Sequence, residues 1–268
     1  MPELPDVEIF RRLVSEHCRG RVIDQATVND PGIIEGISPD HLERQLRGRR
    51  IQSAERHGKH LFIVVESARA LVMHFGTNGS LQLVPAAGTV PEFTRAELTF
   101  SGGDGLAYVN PRRLGRISLC DSVTSFVARS GLGPDALDAG FKVAVFTSIL
   151  GLRKRAIKAV LMDQKLMAGI GNIYSDEVLF QARIYPGTAA ASLARETAAA
   201  LFRTMRETLE EAIRCGAGAE QAAGRLPADF LLPHRHPGGT CPRCHTLLAT
   251  VKGGGRTGYY CPRCQPAS

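Results

Sequence analysis

Residues 161–180 read LMDQKLMAGIGNIYSDEVLF, and the centre of that stretch organises the chain around it. Gly169 and Gly171 permit a tight turn, and a new helix is expected to start at or near Asn172. Exposed N–H groups at such a start can hold a phosphate, although a junction with two glycines also serves plain helix packing. Upstream, residues 142–166 carry Val145, Ile149, Leu152, Ile157, Val160 and Leu161 on a repeating stripe, which predicts a helix. Downstream, Ile173–Ala182 and Ala194–Arg214 predict two more. Residues 216–240 are rich in Gly, Pro and Ala and read as a long loop, of the kind that is usually functional or mobile.

Beyond that loop, Cys241-x2-Cys244 and Cys261-x2-Cys264 lie 16 residues apart. The spacing suits four thiolates on one zinc ion, a closed and therefore structural site. Metal binding would supply folding energy that so short a module lacks in its own core. The competing reading is a redox dithiol pair. Leu247–Val251 and Tyr259–Tyr260 flank Lys252-Gly253-Gly254-Gly255, which predicts a β-hairpin with a Gly-rich tip. Arg256 on that hairpin reads either as a solvated side chain or as a phosphate-gripping contact. The other three of the seven Cys, Cys18, Cys120 and Cys215, are scattered and read as structural thiols rather than a disulfide framework.

Towards the N-terminus, residues 5–18 predict a helix: Pro5 suits its first position, Asp6 and Glu8 its first turn, and Val7, Phe10, Leu13, Val14 and Cys18 one apolar face. Residues 20–125 read as strand-rich, with β-type runs at Leu61–Val65, Leu71–Met73, Ala96–Phe100 and Ile117–Leu119. Frequent turns between them suggest a sandwich or barrel. Gly131-Leu132-Gly133-Pro134 marks a boundary. In all, 268 residues, 44% hydrophobic and 22% charged, fit a globular chain of two modest domains. The net charge of +7 favours polyanionic partners, nucleic acid above all. No apolar run long enough for a membrane span is present. The acidic start, with no apolar signal core, makes the cytoplasm the expected compartment.

Further matches accompany the central motif. They are MPELPDVE at residues 1–8, Lys59 within Arg56-His57-Gly58-Lys59, His74-Phe75-Gly76 before a Gly-Ser turn, Asn110-Pro111-Arg112-Arg113, and GRTGYYCPRC at 255–264. In this order, and along nearly the whole chain, they resemble the formamidopyrimidine-DNA glycosylase / endonuclease VIII family. The resemblance implies an α+β fold: an N-terminal β-sandwich with the first helix (1–131), a helix–two-turn–helix domain (142–215), the loop 216–240 and a four-cysteine zinc-finger hairpin (241–268). It implies one structural zinc, a monomer, and damaged double-stranded DNA lying across the cleft between the domains.

The implied activity is base excision followed by strand cleavage. Removal of Met1 would leave Pro2 as a secondary amine, and a terminal amine titrates near ~8, against ~10 for lysine. Attack on the sugar C1′ expels the base and leaves an iminium, an electron sink for β-elimination and then δ-elimination. The resemblance gives Glu3 the general acid/base role and counts Lys59, which contacts DNA near the lesion, with Pro2 and Glu3 as catalytic. It assigns DNA contacts to His74, Arg112, Leu114, Lys158, Asn172 and Arg256. Thr77, Arg112 and Leu114 stand where the family's formamidopyrimidine branch has the Met, Arg and Phe that fill the gap left by a flipped base. Thr77 weakens that plug, and Leu114 is a smaller wedge than Phe. Asp6 replaces a frequent Glu. Residues 216–240, with Phe230-Leu231-Leu232-Pro233-His234-Arg235-His236, do not match the branch's usual stretch, so 8-oxoguanine recognition does not carry over. His234-Arg235-His236 reads as a polar loop or an added DNA contact. Oxidised purines come first as substrates. The alternatives are an oxidised-pyrimidine glycosylase of endonuclease VIII type and a non-catalytic damaged-DNA-binding protein.

Overall fold

The computed structural model describes residues 2–66, 69–216, 225–253 and 255–267. The chain divides into two units: Met1–Pro2 with Val7–Gly131, and Glu3–Asp6 with Leu132–Ser268.

In the first unit the order is α1 (Leu4–His17), β1 (Ile23–Val28), α2 (Pro39–Leu46), β2 (Ile51–His57), β3 (His60–Val65), β4 (Ala70–His74), β5 (Ser80–Val84), β6 (Thr94–Phe100), β7 (Gly105–Val109), β8 (Arg116–Cys120) and α3 (Val123–Arg129). The first turn of α1 belongs to the second unit. Two four-stranded antiparallel sheets form, in the orders β1-β6-β7-β5 and β2-β3-β4-β8. Their facing side chains make one core, with Leu98, Phe100, Leu106 and Tyr108 from one sheet and Leu61, Ile63, Met73 and Ile117 from the other. Val7 and Val14 of α1 and Leu42 and Leu46 of α2 join it. β6 alternates buried and half-buried residues along its whole length, as a one-sided strand must. β3 does not: Phe62 faces a second cluster with Val72, Cys120 and Phe126 of α3. Burial on both faces is why residues 61–65 read as a continuous apolar run. Cys18 is buried within the core, and that burial pushes its thiol up to about 12, as suits an inert structural cysteine.

The second unit continues with α4 (Val143–Gly151), α5 (Ile157–Leu161), α6 (Asn172–Gln181), α7 (Arg195–Arg214), β9 (Ala249–Gly253) and β10 (Arg256–Tyr260). The single helix expected over 142–166 is therefore two. Between them the backbone N–H groups of Ala191 and Ala190 donate to the carbonyls of Arg153 and Arg155, and Ile157 N–H donates to Thr188. This extended pairing takes the place of helical bonds, and Leu152, counted in the apolar stripe, is 73% exposed. Phe141, Phe146 and Phe202 pack α4 against α7 with ring centroids 5.3–6.2 Å apart. α6 is buried on every side from Tyr174 to Phe180, including Asp176 and Glu177. The loop read over 216–240 holds a short 3-10 turn, Leu232–His234, and its residues 217–224 lie outside the described residues. β9 and β10 pair as the predicted hairpin; Gly254 of its tip is likewise outside. Among the described residues, no helix is long and apolar enough to cross a membrane.

Candidate functional site

In the first unit, buried Asn110 ties two loops together. Its Nδ2 donates to the Phe75 carbonyl (3.1 Å) and to Tyr108 Oη (3.0 Å), and its Oδ1 accepts from Leu114 N–H (3.3 Å). Tyr108 Oη in turn donates to the His74 carbonyl (2.8 Å). The loops approach so closely that a Cβ on Gly76 (φ +61°) would sit 2.4 Å from the Leu114 carbonyl carbon, and one on Gly115 1.7 Å from Tyr108 Oη. The result is a rigid base for short projecting side chains. Leu114 is 47% exposed, an unusual setting for a leucine, and Arg112 is exposed beside it. Arg113, at φ +56°, turns the other way and puts Nε 2.7 Å from the Asp30 carboxylate. Thr77 is half-buried on the facing loop. Lys59 is buried rather than a surface lysine, and His74 is half-buried with Nδ1 accepting from Gly76 N–H (3.3 Å).

In the second unit, the Gly169–Asn172 turn is built around the residue after Pro2. Leu4 N–H donates to the Gly169 carbonyl (3.0 Å). Gly169 has φ +119°, and a Cβ there would lie 2.5 Å from Leu4 Cδ1, so both conformation and space demand glycine. Glu3 is fully buried. Its Oε2 accepts from the N–H groups of Gly171 (2.6 Å) and Tyr174 (3.2 Å), and its Oε1 from Ile173 N–H (2.9 Å). The anion-binding helix start read from the sequence thus holds a carboxylate of the chain itself. Asp6 accepts from Glu3 N–H (2.7 Å), and burial pushes its carboxyl up to about 6.

Lys158, expected at the DNA, is 1% exposed. Its Nζ donates to Asp176 Oδ1, Ser175 Oγ (2.9 Å) and the Asn172 carbonyl (3.2 Å). That is a correction: its charge is committed inside the protein. Asp176 is the centre of the arrangement. Its Oδ2 also accepts from Arg235 Nε (2.7 Å) and Tyr259 N–H (2.9 Å). Asn172 Nδ2 donates to the Thr257 carbonyl (3.0 Å), while its Oδ1 is buried with no hydrogen-bond partner among the described residues. A Cβ on Gly258 would lie 2.6 Å from Asp176 Oδ1. These bonds seat β10 on α6 and leave Arg256 exposed on the hairpin. Glu177, next along α6, accepts from Leu231 N–H (3.2 Å), Leu232 N–H (2.8 Å) and Gln181 Nε2 (2.8 Å); burial pushes it up to about 7. Asp176 and Glu177 were not singled out from sequence, and Arg235, read there within a polar loop or an added DNA contact, bonds Asp176. Adjacent acids in an otherwise apolar helix were the available signal.

The Sγ atoms of Cys241, Cys244, Cys261 and Cys264 all lie within 4.8 Å of one another. Contacts of 3.5 Å (Cys244–Cys261) and 3.8 Å (Cys241–Cys264) match the edge of about 3.8 Å of a tetrahedron with Zn–S of about 2.3 Å. Four thiolates leave no open position, so the site holds one structural zinc.

The zinc hairpin thus rides on the helix whose first turn holds the carboxylate next to Pro2. A β-sandwich unit, a helical turn and a four-cysteine hairpin in one chain are the combination found in DNA glycosylases that also cut the strand. Profiles of the formamidopyrimidine-DNA glycosylase N-terminal domain, of that enzyme's H2TH domain and of the zinc finger found in FPG and IleRS match residues 1–117, 132–223 and 238–267. The formamidopyrimidine-DNA glycosylase of Pelobacter propionicus is 35% identical over 99% of this chain and all of its own. That of Moorella thermoacetica is 37% identical over 94% of this chain and 95% of its own. The Lactococcus lactis enzyme bound to abasic-site DNA superposes with a TM-score of 0.87 at 27% identity, and its complex with Fapy-dG DNA at 0.89 and 26%. Each covers 99% of this chain and all of the other. The chain belongs to the formamidopyrimidine-DNA glycosylase family, enzymes of base-excision repair with AP lyase activity.

Proposed function

We propose that the chain removes oxidised bases, formamidopyrimidine-type purines first, from duplex DNA in the cytoplasm, and cuts the strand with Pro2 as nucleophile. The observation that carries this is Glu3: a buried carboxylate, fixed by three backbone N–H groups, in the residue after Pro2. With Met1 removed, the Pro2 nitrogen attacks C1′. The N-glycosidic bond breaks, and the base leaves with the bonding electrons and takes up a proton. The nitrogen gives up its proton, the C1′–O4′ bond breaks as the ring oxygen takes up a proton, and the nitrogen is left as an iminium on the opened sugar. Loss of the C2′ proton sends electrons towards that cation and breaks the C3′–O bond, releasing the 3′ phosphate; a repeat at C5′ releases the other. Glu3 holds negative charge beside the developing cation and relays protons. Lys59 and His74 contact the DNA near the lesion, Arg112 and Leu114 fill the gap in the stack, and Asn172 and Arg256 contact phosphates.

The Lactococcus lactis enzyme has been captured on Fapy-dG DNA, which supports a purine substrate here. Residues 217–224 lie outside the described residues, and 8-oxoguanine is left to experiment. The test is borohydride trapping on duplexes carrying Fapy-dG, 8-oxoguanine, an oxidised pyrimidine or an abasic site, with Met1 removal checked by mass spectrometry. An adduct mapped to Pro2, forming fastest on Fapy-dG, is expected. Faster trapping on the pyrimidine lesion would move the substrate to the endonuclease VIII type. Binding without any adduct, even on the abasic site, would leave only a damage-binding protein.

A further inference from the structure

The outer face of the β2-β3-β4-β8 sheet ends in a row of basic side chains. His57 stands opposite His60, His60 opposite His74, and His74 opposite Arg116. Directly opposed residues of antiparallel strands share a face, and like charges so placed repel. The His60 and His74 rings are 5.1 Å apart. The groups acting on them are His57 from β2, Lys59 from the intervening turn, and Arg116 from β8; Phe126 of α3 lies 5.3 Å from His60. No carboxylate is among them, and burial together with these cations pushes His60 down to about 3 and His74 below its usual range. The charged groups that act most strongly on this pair of rings are positive.

Arg116 is exposed, and its Nη1 donates to the carbonyls of Gly115 (2.7 Å) and Arg113 (3.2 Å). The guanidinium is thereby held at the root of the turn that carries Leu114. Its Nε and Nη2 make no hydrogen bond among the described residues. His74 Nδ1 accepts from Gly76 N–H, so the proton of the neutral ring lies on Nε2. Two donors of adjacent strands thus stand side by side in a field that favours an anion.

We propose that Arg116 and the Nε2–H of His74 together grip one backbone phosphate of the DNA, at the root of the Leu114 loop. The inference rests on the DNA-repair reading above and adds Arg116 to it. Gripping the backbone there would set the register of the duplex on the loop, since phosphate contacts position while others specify. His60, kept neutral beside His74, packs its ring against that ring at a tilt of 41°.

The test is DNA affinity against salt, with a duplex carrying a non-cleavable abasic-site analogue. Each phosphate contact contributes about 0.9 to the slope of log K against log salt. Arg116→Gln is expected to flatten the slope by about that amount and weaken binding roughly tenfold at 0.1 M salt. Arg116→Lys should keep the slope, since charge alone sets it. Arg44→Gln, the same charge change on exposed α2, should match the wild type. Borohydride trapping of Arg116→Gln at saturating abasic DNA should still give the Pro2 adduct. A wild-type slope and affinity in Arg116→Gln, with trapping intact, would overturn this inference alone. Wild-type protein that neither binds nor traps would overturn the functional reading and this inference with it.

Discussion

Asp176→Asn tests whether the zinc hairpin is seated by charge. The wild-type carboxylate faces two cations, Lys158 at 1% side-chain exposure and Arg235 at 15%. Burial pulls the Lys158 ammonium down and Asp176 opposes that pull, so removing the charge strands two cations in a dry site. Breaking a buried pair from one side costs about 3–5 kcal/mol, and at roughly 2–4 °C per kcal/mol the melting temperature falls by about 6–20 °C. Asparagine keeps the shape, so a cavity contributes little. Urea unfolding in the presence of zinc measures the loss. Tyrosine emission can report it because the chain has no tryptophan. Tyr259 N–H bonds the same carboxylate, so the hairpin should loosen and DNA affinity fall with stability. Adding Lys158→Met should recover part of the loss, because an apolar replacement relieves one stranded charge. A loss below about 1 kcal/mol would refute the reasoning, for it would mean that water already screens the trio.

Leu114→Ala should change stability by less than about 1 kcal/mol, since the side chain is half exposed, yet slow excision from duplex far more than cleavage at an abasic site; equal slowing of both would remove the wedge role. Glu177→Gln tests pH linkage. The folded-state value of about 7 lies above the ordinary 4.5, so this carboxyl favours folding at low pH and the benefit is lost as pH climbs through 7. The stability of the variant relative to wild type should therefore rise by on the order of 3 kcal/mol from pH 5 to pH 8; a flat difference in urea midpoints would contradict it. Stripping zinc with a chelator, or Cys261→Ser, should lower bound metal from one ion per chain to none and weaken DNA binding, with metal analysis and affinity measured on the same sample. Gly169→Ala should destabilise by about 1–3 kcal/mol through strain at φ +119°, and should slow Pro2 trapping because Leu4 must move; an unchanged melting temperature would show that the turn can relax.

Legibility in the sequence followed burial geometry. Apolar runs such as residues 61–65 announced β3, and the 3–4 spacing from Val7 to Cys18 announced α1, which begins and ends one residue earlier than read. β1, with Asp24 and Gln25 inside it, and β2, with Gln52 and Glu55, carry too many exposed polar residues to signal a strand. They form because neighbouring strands supply the ladder, a tertiary cause that propensity does not contain. The break between α4 and α5 was hidden for the converse reason. Its stripe keeps helical period through Leu152, but pairing with residues 188–191 wins locally.

At the site, residues that carry chemistry by type were legible, and residues that act by position were not. Four cysteines at fixed spacing can be read because few other residues do the same work. Asp176 and Arg235 look like any acid and any base until folding brings β10 onto α6. Lys158 marks the boundary. A lysine in a basic DNA-binding chain is naturally read as a phosphate contact, yet this one bonds Asp176, Ser175 and Asn172 and could reach a phosphate only by abandoning all three. Of the exposed cations, Arg116 and Arg256, placed on phosphates, are therefore the ones whose removal should alter the salt dependence of binding. Removal of Lys158 should act through the hairpin, lowering affinity while leaving that salt slope unchanged.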